Sequence, residues 1–392
     1  MKRLKLSKKK KIAIITSSRS DFYLLKNLIN LFKQDKKFEE YIVITGNHFL
    51  KDFGYTFKDI LKNRFNRVVK LNTFKLKSDS KGISDNFYKT SKYFSDFLNK
   101  RKIDLIILLG DRYEILSIAA ISSLYSIPIA HLHGGEITYG SQDDNYRHAI
   151  TKLSHLHFVS TNKAKKRIFQ LGEGKKEVFN VGSFGIDRIR NIKLYSKFDI
   201  EKKLKIKLKN QNFLINFHPS TFQFKKNVIE IKEILKALKY FKNAILIFTY
   251  PNADKFNSLI ITELKKFIKK NNNCYLFNSL GDKKYFSLIQ YVDLVIGNSS
   301  SGILEVPYFK KPSINLGDRQ LGREQPASVI NSKIKKNLII KNIKLGLSNS
   351  FKKKIKKFYN PYLKKNTALK TYNIISKYNL KKINYKKFND FK

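Results

Sequence analysis

Short apolar runs that each end in a small or turn-forming residue recur along this chain, and no other feature restricts its fold as much. In the first half they read KIAIITSS, YIVITG, DLIILLGDR, IPIAHLHGG, LHFVST and VFNVGS, and segments of helical spacing such as DFYLLKNLINLFKQ and DRYEILSIAAISSLYS lie between most of them. Such alternation indicates an α/β fold with a parallel sheet covered on both faces. After NVGSFGIDRIR the chain turns Lys-rich and poor in apolar residues over roughly 190–210. The alternation then restarts as FLINFHPS, AILIFTYPN, CYLFNSL, DLVIGNSSS and PSINLGDRQ, which implies a second α/β domain. A length of 392 residues, 42% of them hydrophobic, suffices for two cores of ordinary size and exceeds what one compact unit needs. Ligands of open α/β sheets sit beyond the carboxyl ends of the strands, and SSRSD, GDRYE, HLHGGE, NFHPST and GNSSSG all stand at such ends. Two such domains facing each other would place a site in the cleft between them.

The formal net charge is +50, from 80 Lys and Arg against 30 Asp and Glu. A charge of that size ordinarily points to nucleic acid or an anionic membrane. Here the excess is nearly all Lys, spread from KRLKLSKKKK at one end to KKINYKKFNDFK at the other among many Ile, Asn, Phe and Tyr. It reads as solvated faces drawn from a biased codon pool, and no segment resembles an RNA or DNA module. The one cysteine, Cys274, excludes a disulfide framework and a cysteine zinc site and suits a reducing cytoplasm. The apolar run after the basic start is too short for a signal sequence, and no window reaches the length of a membrane span. A soluble cytoplasmic protein is expected, with a basic surface able to rest weakly against anionic lipid.

In GNSSSGILEVPYF a strand ends at Ile296, a hydroxyl-rich turn follows, and a helix is expected from about Ile303. Backbone amides at a helix start, with the hydroxyls of Ser299, Ser300 and Ser301 and the open approach at Gly302, make an anion site suited to a diphosphate; a plain serine N-cap is the other reading. Glu305, placed in the first turn of that helix, could accept hydrogen bonds from ribose. His218, followed by Pro219, is a general acid, a phosphate contact or a capped turn. Asp111, Arg112 and Glu114 follow four consecutive apolar residues, and carboxylates directly after a buried strand are rarely core.

Five of the seven histidines fall between His131 and His157. On a strand His131 and His133 face one side, and so do His155 and His157, which is a metal-ligand spacing. Gly134 and Gly135 break the first strand at once, and Glu136, Asp143, Asp144, Arg147 and His148 form a cluster of carboxylates and bases rather than a closed tetrahedral set. Acid and base use of these groups is as natural, so no metal is assigned. His155 and His157 read as part of a half-buried strand.

In these motifs the chain resembles the UDP-N-acetylglucosamine 2-epimerases, and particularly the hydrolysing branch that begins sialic and legionaminic acid synthesis. SSRSDF, GNHF, GDRYE, HGGE, DDNYRHAITKLSHLHF, NVGSFGID, HPST, FTYPNAD, GNSSSGILEVP and NLGDRQLGRE occur in family order over nearly the whole chain. The resemblance implies two Rossmann-like domains of GT-B type with the active site in the cleft. Residues 1–190 would carry the catalytic carboxylates and 191–365 bind UDP. A helix at 366–380 would pack back on the first domain, and 381–392 would be a basic tail. It implies no metal or redox cofactor, no nucleic-acid partner, no membrane insertion and a homodimer or homotetramer. The family reaction is loss of UDP from C1 and of the C2 proton to give a glycal, followed by addition of water to release the C2 epimer as a free sugar.

Carried over by motif, Asp111 and Asp143 are acid/base or cation-stabilising carboxylates, and His218 assists departure of the diphosphate. Arg19 contacts the phosphates, Ser299, Ser300 and Glu305 hold the UDP portion, and Arg323 is a further anion contact; Arg112, Arg147, His148, Ser301 and Gly302 join the binding set. Where several hydrolysing members have a catalytic Glu immediately before the Gly-Gly pair, this chain has His133, so proton transfer falls to His133 or to Glu136. Tyr139 stands where some bacterial relatives have an acidic residue. UDP-N,N′-diacetylbacillosamine is therefore as much expected as the substrate as UDP-N-acetylglucosamine, and the two stay open as alternatives. The rival readings are a non-hydrolysing epimerase, a glycosyltransferase of the same architecture, and a polyanion-binding protein on an inactive scaffold.

Overall fold

The structure is a computed structural model that describes residues 9–50, 55–72, 80–139, 142–219, 224–251, 257–380 and 386–390. Ser220 and Thr221 of the HPST motif, Asn252 to Asp254 of FTYPNAD, and 381–385, 391 and 392 of the basic tail lie outside the described residues. The chain divides into two compact units, one of Met1–Arg188 with Lys364–Lys392, the other of Ile189–Leu363.

In the first unit, β1 (Lys10–Thr16), β2 (Phe38–Ile44), β3 (Val68–Lys70), β4 (Leu105–Leu109), β5 (Ile129–Leu132), β6 (Leu156–Val159) and β7 (Val178–Asn180) form, among the described residues, a seven-stranded sheet of order β3-β2-β1-β4-β5-β6-β7. Every pairing in it is parallel. Successive residues of one strand enter different cores. Ile12 and Ile14 pack with Phe22, Leu25 and Phe32 on one face, while Ala13 and Ile15 pack with Phe94, Ile118 and Ile150 on the other. A strand buried on both sides must be apolar without alternation, which is why the runs were continuous.

The same holds for β6, whose four residues are all buried. The half-buried strand expected at LSHLHFVST is therefore corrected: His157 lies wholly inside, and His155 precedes the strand.

The helix Thr367–Lys377 belongs to this first unit although it comes last. The Asp187 carboxylate accepts the amides of Thr367 and Ala368 at 2.9 and 3.3 Å, satisfying two of the helix's unpaired donors. The Tyr372 ring packs edge-on against Phe32, and its hydroxyl donates to Asp35 at 2.5 Å.

In the second unit, β8 (Asn212–Asn216), β9 (Ile245–Thr249), β10 (Cys274–Phe277), β11 (Leu294–Gly297), β12 (Ser313–Leu316) and β13 (Val329–Ser332) form a six-stranded parallel sheet of order β10-β9-β8-β11-β12-β13. Both sheets reverse their strand order once, between β1 and β4 and between β8 and β11. Such reversals open a crevice beyond the strand ends, where open α/β sheets bind ligands.

Candidate active site

Polar residues gather at each reversal. In the first unit Ser17 and Ser18 follow β1. Ser18 caps the helix Arg19–Gln34 by accepting the Asp21 amide, and the Ser17 hydroxyl donates to the Asp21 carboxylate at 2.8 Å. Burial pushes the Asp21 carboxyl above its usual range, against the pull of Arg112 and the two hydroxyls. Arg112 follows β4, and its Nε donates to the wholly buried Glu114. Glu114, with Asp21 and Asp143 adding to the field, raises the guanidinium above the ordinary arginine value. Arg19 stands exposed at the first position of its helix.

Arg147 is the hub of the neighbouring cluster. Its side chain is only 3% exposed, so its donors must find protein acceptors. Nη1 donates to Asp144 and to the Glu136 carbonyl, each at 2.9 Å, and Nη2 donates to Asp111. Expected among the substrate contacts, the guanidinium is held by the Asp111 carboxylate just past β4, the Asp144 carboxylate of the helix Gln142–Leu153 and the Glu136 carbonyl. Asp144 also accepts the Thr138 amide at 2.7 Å and lies 3.6 Å from His148, which burial lowers and Asp144 raises, with a net depression. Asp143 stands exposed in the first turn of the same helix.

The turn after β5 explains both glycines. A Cβ on Gly134 would stand 2.8 Å from His131, and Gly135 has φ +73° with Ala164 O 2.5 Å from where its Cβ would be. His133 has φ +64°, an uncommon conformation for a residue with a side chain, so it leaves the strand and does not share a face with His131 as expected. Its ring packs on Phe184, 5.6 Å between centroids, and its Nε2 accepts the Phe184 amide at 3.4 Å. The Glu136 carboxylate, nearly buried, accepts the Ser160 hydroxyl at 2.7 Å.

His131 is fully buried and held at about 3, chiefly by burial. Its Nε2 lies 2.8 Å from the Gly110 carbonyl, which can only accept, so Nε2 carries the proton. His157 meets Glu173 at 3.1 Å. These two histidines are core groups with protein partners, and among the described residues no group of three or more His, Cys, Asp and Glu could hold a metal ion.

In the second unit Asn298, just past β11, accepts the His218 amide and donates to the His218 carbonyl, both at 2.8 Å. The Asn298 carbonyl takes Gln320 at 2.9 Å and Arg319 at 3.1 Å. Burial, helped by the charge of Arg319, holds His218 at about 3, so the imidazole is neutral at physiological pH. Tyr285 donates to Ser301 at 2.9 Å and accepts from Asn216 at 2.7 Å. A Cβ on Gly297 would lie 1.9 Å from Asn216 O, and one on Gly302 2.6 Å from Ser313, so both glycines allow close packing of the turn.

The helix after this turn is one turn long, Ser301–Leu304, and the 3-10 turn Val306–Phe309 follows. Glu305 thus ends the helix instead of sitting in its first turn. Pro307, which lacks an amide proton and restricts the residue before it, prevents continuation. Ser300 makes no side-chain cap bond. Arg323 is half-buried on the loop after β12. Sequence reasoning missed Asn298, Tyr285 and Arg319, although Arg319 lies in the quoted NLGDRQLGRE.

A family model described as UDP-N-acetylglucosamine 2-epimerase matches residues 30–376. The chain belongs to the UDP-N-acetylglucosamine 2-epimerase family. This epimerase is 44% identical, over 83% of its chain and 85% of the relative, to the GDP/UDP-N,N′-diacetylbacillosamine 2-epimerase (hydrolyzing) of Campylobacter jejuni. It is 36% identical, over 97% of both chains, to the polysialic acid biosynthesis protein P7 of Escherichia coli. Among solved structures it is similar to the UDP-GlcNAc 2-epimerase of Neisseria meningitidis bound to UDP-GlcNAc, with TM-score 0.81, 16% identity and 94% and 100% of the two chains covered. The expected fold is found, and the relatives place the epimerase in the hydrolysing branch to which its motifs pointed. Among the described residues no helix is long and apolar enough to cross a membrane.

Proposed function

We propose that this epimerase takes UDP-N,N′-diacetylbacillosamine as its preferred substrate and releases UDP and the C2-epimeric free sugar for nonulosonic acid synthesis. The observation that carries this reading is the gathering of the Asp111 and Asp144 carboxylates and the Glu136 carbonyl around one buried arginine beside a strand-order reversal, in a chain 44% identical to a relative named for that sugar. A C2 proton has no neighbouring carbonyl to acidify it, so cleavage of the C1–O bond leads and positive character develops at C1. The electron pair leaves with UDP, the C2 proton passes to a carboxylate, and a C1–C2 double bond remains. Water then adds, its hydroxyl to C1 and a proton to the opposite face of C2.

In this scheme Asp111 takes the C2 proton and Asp143 stabilises the charge at C1. The returning proton comes from Glu136 or His133, which flank the Gly134–Gly135 turn, and deuterium at C2 in Glu136→Gln and His133→Asn variants identifies the donor. Arg19, Arg112 and His148 contact the nucleotide sugar from the first unit. Ser299, Ser300, Ser301, Gly302, Glu305 and Arg323, joined by Arg319, hold UDP. His218, being neutral, assists departure of UDP by donating a hydrogen bond. We place the protein in the cytoplasm as a homo-oligomer; its single cysteine, buried with its thiol pushed up to about 12, suits a reducing compartment.

Proton NMR in D2O with UDP-N,N′-diacetylbacillosamine and, in parallel, UDP-N-acetylglucosamine tests the reading. Free UDP with a deuterated, C2-inverted sugar from the former is expected. Faster turnover of the latter would overturn the substrate, and no turnover of either by a chain that binds UDP would overturn the reaction.

A further inference from the structure

Residues 386–390 lie beyond the stretch matched by the family model, which ends at 376, yet they are bound tightly into the first unit. Lys386 Nζ donates to the carbonyls of Thr151 at 3.3 Å, Ser154 at 2.7 Å and Lys152, and pairs with Glu173 at 2.8 Å. Those carbonyls belong to the last turn of the helix Gln142–Leu153 and the residue just past it. There a helix leaves carbonyls without amide partners and carries its negative end, so one ammonium satisfies several acceptors at once.

The same segment is fastened twice more. The Asn389 amide and side chain both donate to the Gly172 carbonyl, at 2.9 and 3.2 Å. The Phe388 ring lies so close over Gly172 that a Cβ there would be 2.5 Å away, and the Lys152 ammonium sits 4.8 Å from the ring centroid. Glu173 in turn accepts from Lys152 at 2.7 Å.

The first turn of that twelve-residue helix carries Asp143 and Asp144, and Arg147 and His148 stand in its middle. A helix of this length moves as a rod, so a shift at its last turn is a shift of the carboxylates at its first. We infer that Lys386 is a positioning residue for the reaction: by binding the carbonyl end of the helix Gln142–Leu153 it sets where Asp143, Asp144 and Arg147 stand. The inference rests on the proposed use of those carboxylates on the sugar.

The test compares full-length wild type with Lys386→Ala, Lys386→Arg and Phe388→Ala, measuring UDP release, KM, UDP affinity and Tm, with kcat expressed per UDP-binding site. Lys386→Ala should lose about tenfold in kcat, as small misplacements of reacting groups do, with KM and UDP affinity unchanged. Lys386→Arg should recover most of that loss, and Phe388→Ala should lower Tm while keeping kcat per site. If Lys386→Ala does not fold, Lys386→Met, which keeps the stem and drops the charge, carries the same expectation. Wild-type kcat per site in the lysine variants, with only Tm lowered, overturns the positioning role. A wild type that releases no UDP from either nucleotide sugar overturns instead the reading on which it rests.

Discussion

The two strand-order reversals of this epimerase are furnished in opposite ways. At the first, charge meets charge: Asp111, Asp144 and a buried Arg147 bind one another, and Arg112 sits against Glu114. At the second the contacts are largely between neutral groups: the Asn298 side chain bonds the His218 backbone, Tyr285 stands between Asn216 and Ser301, and a charged group, Arg319, donates to the Asn298 carbonyl. Fixed charges serve a reaction in which charge develops, because they are oriented before the reaction begins. Neutral donors and acceptors serve a ligand that must be held and then released. In the proposed reaction the same α/β frame would support chemistry in one half and capture in the other.

Asp111→Asn should break the first half alone. It should lower kcat by roughly 10²–10⁴-fold while UDP titrated by calorimetry binds as to wild type; weakened UDP binding would erase the contrast. Gly297→Ala should do the reverse, because its Cβ meets a backbone oxygen that cannot move aside. A loss of about 3 kcal/mol or more in denaturant unfolding is expected, together with loss of UDP binding.

Asn298→Ala strips the His218 amide and carbonyl of their shared partner. It should weaken UDP binding by about 1–3 kcal/mol, the cost of buried polar groups left unmade, with kcat little changed.

A further contrast is one of pH. His48, His131 and His155 in the first unit are held at about 4, 3 and 4 by burial, and His218 in the second at about 3, against 6.5 for the ordinary group. The unfolded chain takes up protons below 6.5 that the folded chain refuses, so this stability is whole above 6.5 and is lost as pH falls towards about 3. Hydrogen exchange at pH 4.5 and 7 should show the first unit loosening more than the second; equal loosening would show that the histidine asymmetry does not govern it.

The sheets were legible because both faces of each strand are covered, which forces continuous apolar runs such as DLIILLG. Asp111 was legible because a carboxylate directly after such a run has no place in a core. The part played by Arg147 was not, since its partners come from β4, the turn after β5 and its own helix, and only the fold brings them together. Asp143 and Asp144 stand four and three residues before Arg147, both spacings that bring helix side chains together, and it is Asp144 that meets the guanidinium. The pattern showed both and could not choose. His133 was read as a strand residue because nothing in the letters marks a non-glycine left-handed turn. Arg319 was not named because the motif carried over Arg323 alone, and the bond of Arg319 to the Asn298 carbonyl exists only in the fold.

Asp187 caps a helix that begins at Thr367, and between them lies the whole of the second unit. On the ribosome the chain therefore completes its units in the reverse of the order in which it starts them. The segment Ile189–Leu363 has all its own strands in hand as soon as it emerges, whereas the earlier unit waits for its closing helix until the whole of the later one has been made. A stop between Leu363 and Thr367 would spare the half made second and leave the half made first unfinished.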